Sequence, residues 1–488
     1  MMDKNLRGED LLRYYVELFN KNDEECYGND IDNAHAFEWL RNEIPLFSCP
    51  DKDIERAYYF RWWTFRKHLK YTPDGYIITE FLPKVPWSGK HNEINAAAGH
   101  HIYEGRWLKN GRKYLSDYIR FFLDNPDRGH QYSAWIIEAT WRLCEVNGDF
   151  DLGEDFLPKA IEYFEEWERT HGLPDGLFWS IDNYDAMEYS ISGMGGERGI
   201  RPTLNSYMCA EAYAISHFAT LKGDLELAER FKARGDEIRE KINSRLFDDG
   251  FYRAYHYSVG DDISDIFERL KGRQPRELIG YIPWIFGIPE KGGESVFGLL
   301  DDATAFYSEQ GLTTAERSHP MYLFAAKHEC LWNGYVWPFA TSQTLNALNA
   351  VIRHYSDSDE YKKLFVKLLR QYARSHNRIR EDGTTVPWID EVRHPERDEW
   401  SSRTILRDWG WREGKGGYER GKDYNHSTFC DLVISGLVGV SVSSTGEITV
   451  EPNVPEEWDY FTLDGVYIGG KRYSIEYRSG ELKVEEIC

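Results

Sequence analysis

The sequence predicts a mainly α-helical chain. Residues 1–440 read as a closed barrel of helical hairpins, and residues 441–488 as a short β-strand appendage packed on the last helix. Three observations carry this. Apolar helices recur in pairs from about residue 91 onward, each pair joined by a short polar turn. The loops between pairs differ widely in length and no short period repeats, which favours a ring with its long loops gathered at one end over an open superhelix. After residue 440 the apolar spacing changes from helical to alternate residues.

Residues 1–90 form a helical and strand lead-in. In DIERAYYFRWWTFRKHL, Tyr58, Trp62 and Phe65 recur at near-helical spacing, and YTPDGYIITEFLP reads as a turn and a short strand. In RLCEVNGDFDLGEDFLPKAIEYFEEW, residues Phe156, Leu157, Ala160, Ile161, Phe164 and Trp167 share one helix face. The turns Asn147-Gly148-Asp149 and Lys222-Gly223-Asp224 stop one helix on glycine and place an acid before the next. A third pair, TSQTLNALNAVIRHY and DEYKKLFVKLLRQYARSH, is divided by Ser356-Asp357-Ser358 and carries the stripe Tyr361, Leu364, Phe365, Leu368, Leu369 and Tyr372. In the tail, TGEITVEPNVP, DGVYIGGKRYSIEY and SGELKVEEI alternate, with Ser479-Gly480 as a turn.

A net charge of −23 argues against nucleic acid and anionic membrane as partners, since both repel such a surface. Aromatic residues reach 15%, and rings with a flat apolar face and a polar edge suit sugar rings. The start of the chain lacks a basic segment followed by an apolar one, and no stretch is long enough to span a bilayer, so a soluble, cytoplasmic protein is expected. Cys26, Cys49, Cys144, Cys209, Cys330, Cys430 and Cys488 are scattered without CxxC spacing, which points to free thiols rather than disulfides or zinc. No metal or cofactor is expected; oligomeric state stays open.

The stretch WSIDNYDAMEYSISG, Trp179 to Gly193, crowds Asp182, Asp185 and Glu188 among Trp179, Tyr184 and Tyr189 between two helical segments. A carboxyl group held against rings loses water, its pKa rises, and it can hold a proton at neutral pH for donation. The competing reading is an acidic, solvated turn. Further candidates for sugar contact are Trp332, Trp337, Arg106, Trp107, and the cluster Asp423, Tyr424, Asn425 and His426, which serves equally as the polar cap of the helix that follows. His100 and His101 near Glu104 lack a metal-binding pattern and read as satisfied polar residues. The charged, Gly-rich run ERDEWSSRTILRDWGWREGKGGYERGKD is either a mobile lid or a solvated loop.

Three blocks now resemble the six-hairpin glycosidases, in particular the mannosylglycerate hydrolase, processing α-glucosidase and trehalase group. Ala186-Met187-Glu188-Tyr189-Ser190, followed by Pro202-Thr203-Leu204-Asn205, is similar to the group's acid-bearing Gly-Met-Asp-Asn-Ser and the helix after it, with Glu188 where the group has Asp. Trp332-Asn333-Gly334-Tyr335-Val336-Trp337-Pro338 resembles its Trp-Arg-Gly-Pro-Val-Trp-Pro. Glu391 and Pro395 coincide with its base motif, a Glu four residues before a Pro. The resemblance spans residues 90 to 440 and implies an (α/α)6 barrel and an inverting glycosidase, exo-acting on a short oligosaccharide or small glycoside. It implies Glu188 as general acid and Glu391 as general base. Asp182 and Asp185 are rivals for the acid, and Asp390 and Asp423 for the base. Alternatives are a sugar epimerase on the same kind of barrel, which pairs histidines across its pocket, and a carbohydrate-binding helical-repeat module, which disperses its acids over the surface. A zinc site at Glu329 and Cys330 lacks two further clustered cysteines.

Overall fold

The computed structural model describes residues 6–487, so Cys488 lies outside the described residues. Its helices start and stop where the turn chemistry directs. Gly148 closes helix Ile136–Asn147 in the left-handed region at φ 66°, and helix Asp151–His171 begins three residues on. Gly223 does the same at φ 79°, after which the Asp224 side chain caps helix Leu225–Lys241 by accepting from the Leu227 N–H. Ser358 caps helix Asp359–Ser375 through the Glu360 N–H, and Asp51 caps helix Lys52–His68 through the N–H groups of Asp53 and Ile54.

Within each hairpin the two helices are buried differently. Helix Pro202–Leu221 is buried nearly all round, whereas Leu225–Lys241, packed against it, buries only the stripe Ala228, Phe231, Gly235 and Ile238. Ile136–Asn147 and Asp151–His171 repeat this contrast, as do Pro338–His354 and Asp359–Ser375. Lys52–His68 is also buried along most of its length and packs against both Gly8–Lys21 and Asp359–Ser375, which brings the lead-in into the same core. The protein is therefore mostly helical with a small sheet component. No helix among the described residues is long and apolar enough to cross a membrane.

The tail departs from its expected packing. Strands Tyr460–Ile468, Lys471–Arg478 and Glu481–Ile487 form an antiparallel sheet whose fourth strand, Leu46–Ser48, comes from the lead-in, with Phe47 opposite Leu463. The sheet also reaches helix Ile136–Asn147, since the Gly469 N–H donates to the Val146 carbonyl at 2.9 Å. The hairpin Val440–Val442 and Ile448–Val450 lies against the last helical segment, Leu432–Val438, where Asn453 also donates to the Gly436 and Leu437 carbonyls. Three long connections, 172–201, 242–337 and 376–431, each lead from a one-stripe helix into a more buried segment, and they carry most of the site described next.

Candidate active site

Glu188 and Glu391, 203 positions apart in sequence, meet at one cavity of about 160 Å³. Glu80, Glu329, His328, Cys330, Lys415 and His426 share its wall, and Phe81, Trp87, Tyr132, Trp337 and Tyr424 supply the rings.

The loop bearing Glu188 is built by its neighbouring acids. Strands Trp179–Ile181 and Arg198–Ile200 pair at its base. Asp185 is buried there and accepts from Ser133 Oγ at 2.8 Å, Ser180 Oγ at 3.0 Å, Arg201 Nε at 2.6 Å and the Thr203 hydroxyl. Four donors leave its carboxylate no free lone pair for a substrate. Asp182 accepts from the N–H groups of Asn183 and Gly195, both at 2.9 Å, and folds the far side of the loop back. The two aspartates thus tie the loop, and the glutamate is left to face the cavity. Ala186 at φ 55° and Tyr189 at φ 60° flank Glu188 in the left-handed region, a conformation that costs a side-chain-bearing residue about 1 kcal/mol or more and that the tied loop enforces. Glu188 forms no ion pair among the described residues. Burial pushes its carboxyl up to about 7, with the charges of Glu391 and Asp182 adding to the effect.

Across the cavity a second pair of acids divides its work in the same way. Asp390 is buried and accepts from the Glu391 N–H at 2.8 Å, Ser402 Oγ at 2.9 Å and Trp388 Nε1 at 3.3 Å, which fixes the turn. Glu391 points the other way, and its Oε2 accepts two N–H groups of Arg420, that from Nε at 3.1 Å. The Cys330 thiol lies 3.8 Å from Oε1. Burial pushes Glu391 up to about 7 against the pull of Arg420. Direct charge-assisted bonds from the Arg420 guanidinium favour the ionised form of Glu391, and among the described residues no ion pair does the same for Glu188.

Arg420 is held in turn by Glu329, whose Oε1 accepts from it at 2.7 Å and lies 3.2 Å from Lys415 Nζ; against its burial, Arg420 holds Glu329 down to about 2. Arg420 comes from the charged, Gly-rich run that reads from sequence as a lid or a solvated loop. The run is neither free nor wholly solvated. Arg403 clamps Glu419 through two hydrogen bonds, and Gly421 presses on Asp390 so closely that a Cβ there would sit 1.9 Å from Asp390 Oδ1.

Residues 90–427, more than half of the chain, match the family model of the mannosylglycerate hydrolase MGH1-like glycoside hydrolase domain. The chain belongs to that family. It is a glycosidase domain of the six-hairpin group, and this sets aside the epimerase and binding-module alternatives. A solved structure named sialidase is 34% identical with a TM-score of 0.86, covering 99% of this chain and 43% of its own. The GH78 family rhamnosidase of Bacillus sp. GL1 is 14% identical with a TM-score of 0.59 over 91% of this chain and 41% of its own, a likeness of fold. An uncharacterized protein of Borreliella burgdorferi is 26% identical over 165 residues, 33% of this chain and 31% of that protein. The chain therefore spans less than half the length of the sialidase, and its match to the Borreliella protein covers about a third of that protein.

Several sequence candidates lie away from the cavity of the glycosidase domain. Trp332 is buried behind Trp337, its ring stacked on it at 4.5 Å, so only Trp337 lines the wall. Tyr184 is 40% exposed and packs its edge on His171 instead. Arg106 and Trp107 both donate to Asp431 Oδ1 at 2.7 Å and border a different cleft. Asp423 pairs with buried Lys67 at 2.6 Å, a charge that needs it for its own solvation. His101 donates from Nε2 to the Asn425 carbonyl and bonds the Tyr118 hydroxyl at Nδ1, whereas among the described residues neither ring nitrogen of His100 has a partner; Glu104 accepts the N–H groups of Phe429, Cys430 and Asp431 and caps the helix there. His426 does line the cavity. Sequence reasoning misses Glu80 and Arg420 at the site and weighs Glu329 only as a zinc ligand. For Glu80 the only signal is an acid closing an apolar strand, YIITEF; for Arg420, an arginine beside glycine in a segment otherwise read as solvated.

Proposed function

We propose that the chain is an inverting, exo-acting glycoside hydrolase in which Glu188 is the general acid and Glu391 the general base. The supporting observation is the unequal treatment of two glutamates at one cavity: a guanidinium bonds Glu391, and no cation pairs with Glu188. In this reading the Glu188 proton passes to the glycosidic oxygen as its bond to the anomeric carbon breaks. Glu391 takes a proton from the water that attacks the opposite face, so the new C–O bond has the inverted configuration. A cavity of about 160 Å³ is below the usual range for drug-sized ligands and suits one sugar ring better than a chain, which favours exo action. The alternation of all-round and one-stripe helices supports closure into an (α/α)6 barrel over residues 1–440, with 441–488 as its β appendage.

The relative named sialidase suggests a sialic-acid glycoside as a second reading. Its substrate would bring a further carboxylate among Glu80, Glu188, Glu329 and Glu391, where Arg420 is already committed to two of them. A neutral glycone is the better fit. The test is a screen of aryl glycosides and short oligosaccharides, with product anomers followed by NMR. Inverted product from a neutral glycoside is expected, and retained configuration sinks the mechanism.

A further inference from the structure

Glu80 and His426 each keep one polar atom without a partner at the cavity they both line. Glu80 is 4% exposed and His426 2%. The Oε1 of Glu80 accepts from Tyr424 Oη at 3.1 Å and lies 3.1 Å from His426 Nδ1, so one carboxyl oxygen, one phenol and one ring nitrogen satisfy each other. The other ends do not: Glu80 Oε2 and His426 Nε2 are buried and without a hydrogen-bond partner. Buried polar atoms left in that state are costly, and two of them on neighbouring side chains at one cavity mark the place of a polar ligand. Neither atom has a part in the bond-breaking step assigned to Glu188 and Glu391.

We propose that Glu80 and His426 grip two adjacent hydroxyl groups of a neutral sugar, and that this pair sets which glycone the enzyme accepts. The inference rests on the glycosidase reading above and adds its substrate class. Hydrogen-bond direction follows from the cluster. The Tyr424 hydroxyl donates to Glu80 Oε1 and accepts from His426 Nδ1–H, so Nε2 of the imidazole is an acceptor. Burial, with the charges of Glu391 and Glu188, pushes the Glu80 carboxyl well above the usual range, which keeps it neutral and makes Oε2 a donor; burial likewise keeps His426 uncharged. A donor beside an acceptor complements a vicinal diol, each hydroxyl of which can play either part. A uronate or other anionic group at the same place meets the lone pair of Nε2 and the charge of Glu391, while Arg420 and Lys415 are already paired with Glu329 and Glu391. Phe81, Trp87 and Tyr132 offer the ring faces that sugar C–H surfaces pack against.

Binding, which needs no bond cleavage, tests this separately from the catalytic assignment. The methyl glycosides of glucose, mannose, galactose, rhamnose and glucuronic acid are titrated by NMR into wild type, Glu80→Gln and His426→Ala, followed by the monodeoxy analogues of the best binder. We expect a neutral glycoside to bind about 10-fold or more tighter than the glucuronide, and loss of either of two adjacent hydroxyls to weaken it about 10-fold or more. Each substitution weakens the parent sugar to a similar degree and erases discrimination against one of those two deoxy analogues. Tighter binding of the glucuronide, no binding of any glycoside, no adjacent pair of sensitive hydroxyls, or unchanged affinity in both variants overturns the proposal. The deoxy series on wild type requires no substitution, so a misfolded variant does not shelter it. The same hydroxyl pattern in Glu188→Gln, whatever its turnover, shows that the two readings stand or fall independently.

Discussion

The loop from Trp179 to Gly193 and the turn at Asp390 and Glu391 solve one problem in two ways. Each sets an aspartate beside a glutamate, ties the aspartate into hydroxyl and N–H donors, and leaves the glutamate at the cavity. They differ in one group. Arg420 stands on Glu391, and nothing comparable stands on Glu188. Two like residues in one buried space thereby meet different surroundings, because desolvation raises a carboxyl pKa and an adjacent guanidinium opposes it.

Substitutions break this comparison at different points. The largest effect is expected for Glu391→Gln, which removes the base needed in every turnover; kcat should fall about 10⁴-fold with little change in melting behaviour, measured on the best glycoside of the screen. Asp185→Ala should do the reverse. It strands Arg201, a fully buried cation, and should cost about 3–5 kcal/mol in urea unfolding. Equal stability of that variant and wild type would show that Asp185 is not what holds the loop.

Arg420→Met probes the difference itself. Without the guanidinium Glu391 is harder to ionise, so the acidic limb of the kcat/KM profile, where activity rises with pH, should move upward by about one pH unit or more. A limb that stays in place means that Arg420 does not tune the base. The smallest effect concerns stability. A carboxyl whose folded pKa is raised contributes stability fully below its unfolded value and loses it as pH rises through the folded value. For Glu188 that window runs from the usual glutamate range, about 4.5, to about 7. Glu188→Gln never ionises and should therefore be more stable than wild type above pH 7 by at most about 3 kcal/mol, with the advantage vanishing near pH 4.

Much of the fold can be read from the chain because helix stop and start chemistry is local. Gly148, Gly223, Asp224 and Ser358 sit where the turns require them. Strand Leu46–Ser48 is invisible to such reading: three residues are too few to show alternation, and its partner lies more than four hundred positions away. The site divides along the same line. Glu188 and Glu391 stand out as acids among aromatic and motif residues, and the structure brings both to one cavity. Arg420 owes its place to Glu329 and Glu391, 91 and 29 positions distant, and a glycine-rich charged segment gives no local hint of such burial. Trp332 and Trp337 are equivalent in sequence, and only packing decides that one ring faces the cavity and the other stands behind it. Arg106, Trp107 and Asp423 were drawn to the site by polarity or ring content, whereas each is consumed by a partner that sequence spacing does not reveal.

The division of labour between the two glutamates is tested most directly by leaving-group dependence. Glu188→Gln and Glu391→Gln are compared on a phenyl glycoside, whose leaving group needs protonation, and on the 2,4-dinitrophenyl glycoside of the same sugar, whose leaving group does not. An acid at Glu188 and a base at Glu391 predict that Glu188→Gln loses about 10²-fold or more on the phenyl substrate yet nearly keeps its rate on the activated one, whereas Glu391→Gln fails on both. The opposite pattern, or equal losses on both substrates in both variants, contradicts the assignment.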